Sequence, residues 1–218
     1  VSALLHKYQV PFYTHMSETK LETDECVERY GMTPPQFFDS LGLFDFGGGV
    51  YHGVYLTEED MDLFADKKIG VVTNPGSNTK LASGIAPVGR FLEKGLCVGI
   101  GTDGPSSNNC LDMFREMFLV TGLAKLLQKD ASAVDAGAHI MGIPEADVLA
   151  AGKLADVIMI DLHQPNMQPL NNITKNIVYS GSKQNVKMTM INGKILYEDG
   201  KFLNGVDAEA IYAKANEI

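Results

Sequence analysis

Tryptophan is absent from this sequence, cysteine is scarce, and no long apolar run occurs. Cys26, Cys97 and Cys110 are odd in number and widely spaced, which fits buried thiols in a reducing cytoplasm and argues against a disulfide framework. No stretch approaches the roughly 18 uncharged apolar residues of a bilayer-spanning helix, so no membrane partner is expected. The opening residues, VSALLHKYQV, hold too short an apolar run for a signal peptide. With no secretory signal, the glycosylation-like Asn172-Ile-Thr174 reads as chance. Cations are outnumbered, 18 Lys and Arg against 27 Asp and Glu, and a net charge of −9 disfavours nucleic acid as a partner. Internal repeats and low-complexity segments are missing too.

What remains is a chain of 218 residues, 45% hydrophobic, long enough for one or two domains with a sizeable core. Its first part alternates. Val10–His15, Gly49–His52, Ile69–Thr73 and Leu96–Thr102 read as strands. Leu21–Tyr30, Pro34–Leu41, Glu58–Lys67, Pro87–Lys94 and Asn108–Gln128 read as helices, with Thr33 and Thr57 placed as N-caps. Four strand–helix units in succession imply a parallel sheet covered on both faces. The texture then changes. Ala155–Asp161, Ile173–Tyr179 and Val186–Ile191 read as strands, and Asn192-Gly193 is a hairpin turn returning through Lys194–Glu198. A small antiparallel β module followed by a helix over Ala208–Asn216 is expected.

Three polar residues close the strands of the first part: His15, His52 and Asp103. In barrels and open α/β sheets that edge carries the active site. One histidine at a strand end is usually structural, but two with a carboxylate at the same edge form an ordinary zinc donor set. Glu18, three residues past His15, can lean over the site as a proton shuttle, or serve as a carboxylate at a helix N-terminus. His6, His139 and His163 lie away from that edge and read as surface or packing residues. Gly99-Ile-Gly101-Thr-Asp103-Gly104 fits the dinucleotide fingerprint, yet the ribose-binding acid expected about 20 residues on is replaced by Ala124-Lys125-Leu126. Under the preferred reading, Gly101 and Gly104 let the backbone turn so that Asp103 points into the site.

The set His15-Met-Ser-Glu18, Tyr51-His52-Gly53 and Gly101-Thr-Asp103-Gly104, with Ser106-Ser107-Asn108-Asn109 and later Gly152-Lys153-Leu154-Ala155-Asp156, resembles the amidohydrolase superfamily. More narrowly it is similar to the 5-methylthioadenosine/S-adenosylhomocysteine deaminases. The resemblance implies a (β/α)8 TIM barrel, with strands five to eight present, and a small β-sandwich-like domain. It assigns residues 1–147 to the barrel half, 148–206 to the small domain and 207–218 to a terminal helix. It makes His15 and Asp103 metal ligands, with zinc first and Fe2+, Ni2+ or Mn2+ as alternatives. Glu18 would contact the purine and protonate its ring, His52 would orient the activated water, and Asp103 would accept a proton and touch substrate. A nucleoside would be the small-molecule partner, and a homo-oligomer is allowed.

The departures are equally specific. Family members carry a His-x-His pair on strand one, and none occurs here. Eight units and ~250 residues make a barrel, whereas four units are read in this chain. An N-terminal half-barrel is therefore expected as a missing partner, and a gap of about ten residues is suspected between Ala136 and Gly137. The rival readings are a guanine or cytosine deaminase, a triazine hydrolase, or a non-catalytic half-barrel.

Overall fold

A computed structural model describes residues 1–134 and 149–217. Internal contacts divide the chain into two units, Val1–Gly142 and Ile143–Ile218. The expected boundary at 147/148, the suspected gap after Ala136 and His139 all lie outside the described residues.

The first unit opens with α1 (Ser2–Tyr8), β1 (Phe12–Met16), α2 (Lys20–Tyr30) and α3 (Pro34–Ser40). It continues through β2 (Gly48–His52), α4 (Glu58–Lys67), β3 (Ile69–Thr73), α5 (Pro75–Lys80), α6 (Val88–Glu93), β4 (Val98–Ile100) and α7 (Met113–Gln128). The four strands form one parallel sheet in the order β1-β2-β3-β4. Thr33 and Thr57 cap α3 and α4 through full capping boxes, as their spacing to Gln36 and Asp60 requires.

Register and the two-residue period of a strand sort the side chains. Val50, Val71 and Val98 lie in one row and are buried in the core with Met16, Phe44, Phe64 and Phe91. The adjacent row, His15, Tyr51, Val72 and Gly99, belongs to the opposite face. Burial of this one-sided core is the main stabilising contribution, at roughly 25 cal/mol per Å2 of apolar surface removed from water.

One helix boundary is corrected. The helix expected from Asn108 begins at Met113, because Asp112 caps it by accepting from the Phe114 amide, while Leu111 sits at φ 47°. Its buried side is Phe114, Glu116, Val120, Thr121 and Ala124, while Leu111 and Phe118 are about half exposed.

The second unit holds β5 (Val157–Ile160), α8 (Ile173–Tyr179), β6 (Val186–Ile191), β7 (Lys194–Glu198), β8 (Lys201–Phe202) and α9 (Ala208–Ala215). Among the described residues its strands form one antiparallel sheet, β5-β6-β7-β8. Ile173–Tyr179 is a helix and not the expected strand: Asn172 supplies an N-cap to Lys175, which outweighs the β-branched residues. The Asn192-Gly193 turn joins β6 to β7 as its residue types demand.

Candidate active site

At the C-terminal edge of the parallel sheet, His15, His52 and Asp103 converge. One ligand-capable atom from each lies within 4.8 Å of the other two. His15 reaches the site from β1, one residue before the strand ends, and is exposed. Regular pleating would send the His52 side chain to the core row beside Met16. Instead its backbone turns left-handed, φ 75°, and the ring centroid comes to 5.3 Å from that of His15. A left-handed non-glycine residue costs of order 1–3 kcal/mol and persists only where its surroundings impose it.

What imposes it at His52 is burial and a hydrogen bond. The residue is fully buried, and Nδ1 lies 2.7 Å from Oδ1 of Asn78 on α5. An amide oxygen only accepts, so Nδ1 carries the hydrogen, and in a neutral imidazole the lone pair then lies on Nε2. That Nε2 is buried without a hydrogen-bond partner among the described residues. An orphaned, inward-facing nitrogen beside a second imidazole and a carboxylate is the donor chemistry a zinc-type ion requires, so the residues fit a divalent metal.

Asp103 is also left-handed, φ 59°, and stands three residues beyond the end of β4 rather than at its last position. Ser77 donates its hydroxyl to Oδ2 at 2.6 Å, and the Gly104 amide donates to Oδ1 at 2.7 Å. Burial pushes this carboxyl upward, but the Ser77 and Ser107 hydroxyls, the Gly104 amide and nearby His52 outweigh it and hold it below the usual carboxylate range. The residue that turns the chain is thus Asp103 itself. Gly101 is needed for a different reason, since a Cβ there would meet Oδ1 of Asn74 at 2.4 Å. The dinucleotide-like glycines do not open a helix: α7 begins nine residues after Gly104.

Glu18 sits before the N-cap Thr19 of α2. The helix-terminus role belongs to Glu22, whose carboxylate accepts the amides of Ser17 and Glu18 at 2.9 Å each. Glu18 is thereby free to face the site, receiving the Ser83 hydroxyl at 3.3 Å and lying 3.7 Å from Nε2 of His52. Asn78, Ser77 and Ser83 escaped the sequence reading; Pro75, at the first position of α5, is the signal for a helix beside the site. His6 pairs with Asp45 instead of joining this edge, and within the second unit the His163 amide donates to Asp161.

The amidohydrolase family model matches residues 1–196. Among curated relatives, a 5-methylthioadenosine/S-adenosylhomocysteine deaminase of Dictyoglomus thermophilum is 39% identical over 215 residues, covering 94% of this chain and 50% of its own. A 5'-deoxyadenosine deaminase of Methanosphaera stadtmanae is 37% identical, covering 96% of this chain and 51% of its own. Among solved structures, a zinc-bound adenosine deaminase from Xanthomonas campestris superposes with a TM-score of 0.92 at 32% identity, over 100% of this chain and 52% of that one. The chain spans about half the length of the curated relatives it matches.

Proposed function

The chain belongs to the amidohydrolase family, and we propose that it forms strands five to eight of a (β/α)8 barrel that deaminates an adenosine derivative. The substrate class is 5-methylthioadenosine or S-adenosylhomocysteine, converted to the inosyl product and ammonia. The observation that carries this reading is the convergence of His15, His52 and Asp103 within 4.8 Å, with Glu18 against His52. Relatives named as adenosine-type deaminases support the substrate class. We further assign residues 1–147 to the barrel half, 148–206 to a small domain and 207–218 to a terminal helix. Four further strand–helix units would complete the barrel.

His15 and Asp103 would hold the divalent ion, zinc by analogy with the bound structure. When bound, such an ion supplies a water acidified toward ~7. His52 would turn its Nε2 lone pair toward the attacking water, because Asn78 keeps the hydrogen on Nδ1. Asp103, held as a carboxylate by Ser77 and Gly104, would accept a proton from the water that adds to C6 of the adenine ring. Glu18 gives a proton to N1, so the ring nitrogen does not accumulate negative charge. The C6–N6 bond then breaks: ammonia leaves with the proton held by Asp103, and the C6 hydroxyl gives its proton back to Glu18 as the carbonyl forms. An amino group departs only when protonated, which is why two carboxyl groups are needed.

The test is ammonia release by the zinc-loaded full-length protein from 5-methylthioadenosine, S-adenosylhomocysteine and 5'-deoxyadenosine, with guanine, cytosine and a triazine as controls. Turnover confined to the adenosine derivatives is expected. Turnover of guanine, cytosine or the triazine alone overturns the assignment.

A further inference from the structure

We propose that Glu116, a fully buried carboxylate on α7, is a positioning residue whose two oxygens set the two oxygens of Asp103. The proposal rests on the reading of Asp103 as metal ligand and proton acceptor.

The geometry is paired. Oε2 of Glu116 accepts the Gly76 amide at 2.7 Å, and Gly76 is followed by Ser77, whose hydroxyl holds Oδ2 of Asp103 at 2.6 Å. Oε1 of Glu116 accepts from the Asn108 side-chain amide at 2.6 Å. The Asn108 backbone amide in turn donates to the Gly104 carbonyl at 2.8 Å, and the Gly104 amide holds Oδ1 of Asp103 at 2.7 Å. Each carboxylate oxygen of Glu116 therefore anchors one of the two segments that grip Asp103.

The arrangement leaves no slack. Glu116 is 0% exposed, and a Cβ at residue 76 would fall 2.4 Å from its Oε1 and 2.6 Å from the Asn108 amide nitrogen. Both neighbours are donors, so the ionised form is the one that satisfies them. Burial holds the Glu116 carboxyl above its ordinary range, and the Gly76 amide and Asn108 offset that only in part. A buried charge is retained at such a cost only where several donors meet it. The same α5 segment presents Asn78 to His52, so the anchor at Gly76 also bears on that ring. Asp103 sits at φ 59°, a conformation its surroundings must hold.

The experiment compares wild type, Glu116→Gln, Asn108→Asp, the double variant and Asp103→Ala in the full-length protein. Three quantities are read: zinc dissociation constant by chelator competition below the unfolding transition, kcat and KM on 5-methylthioadenosine, and amide exchange at Gly104. Glu116→Gln points an amide at a donor. It should weaken zinc binding and lower kcat by about 10–100-fold, the usual effect of losing an outer partner of a metal ligand, and speed exchange at Gly104. The double variant reverses the amide–carboxylate pair while keeping both hydrogen bonds, and should return zinc affinity close to wild type. A Glu116→Gln protein that melts earlier with unchanged zinc affinity overturns the proposal, as does a double variant no better than the single ones. Should Glu116→Gln fail to fold, the double variant decides: folded with wild-type affinity supports the proposal, and folded with weakened affinity overturns it. Unchanged zinc binding in Asp103→Ala removes the metal reading and this role together. A normal loss in Asp103→Ala beside a silent Glu116→Gln removes this role alone.

Discussion

Nε2 of His52 lies 3.7 Å from the Glu18 carboxylate, and among the described residues no hydrogen-bond partner reaches it. The ring's other nitrogen is fixed by Asn78 at 2.7 Å, so the orientation of the lone pair depends on one amide oxygen. Asn78→Leu removes that acceptor and frees the tautomer. Turnover in the zinc-loaded protein should fall by about 10–100-fold, with the fold retained by circular dichroism. Unchanged kcat in Asn78→Leu would show that His52 is held by packing alone.

The distances allow His52 either to bind the ion or to steer the water, and substitution separates the two. His15→Ala and Asp103→Ala should lower zinc content and turnover together. His52→Ala should cost turnover more than zinc. Elemental analysis beside ammonia release makes the comparison, and a His52→Ala protein as empty as His15→Ala would make His52 a ligand.

Asp60 ties two helix starts together. It is fully buried, accepts the Thr33 hydroxyl at 2.5 Å and accepts the Thr57 amide at 2.9 Å. Asp60→Ala strips both donors of their acceptor, and should destabilise the first unit by about 1–3 kcal/mol. Denaturant unfolding reads the shift directly. A midpoint equal to wild type would mean that water replaces the carboxylate without cost.

The site was legible where polarity contradicts its surroundings. His15 and His52 stand out because each ends an apolar run, and Asp103 because glycines flank it. The alternation of strands and helices was legible for the same reason, since burial writes its period into the sequence. Illegible features depend on partners far along the chain. Glu116 reads as a solvated charge on a helix until Gly76, 40 residues earlier, and Asn108 close around it. Ile173–Tyr179 carries β-branched residues typical of a strand, yet a single Asn172 side chain starts a helix there. Glu18 was ambiguous because two carboxylates stand near one helix start, and only coordinates show that Glu22 takes the terminus.

Deamination requires a proton at N1, a step we propose for Glu18. The decisive measurement is ammonia release from 5-methylthioadenosine by zinc-loaded Glu18→Gln, with zinc content determined on the same sample. The amide is isosteric and can still receive the Ser83 hydroxyl, so fold and zinc content should match wild type. It cannot donate a proton to the ring, and turnover should fall by roughly 10²–10⁴-fold. Turnover close to wild type at full zinc occupancy would contradict the proton-shuttle role and the deamination mechanism built on it.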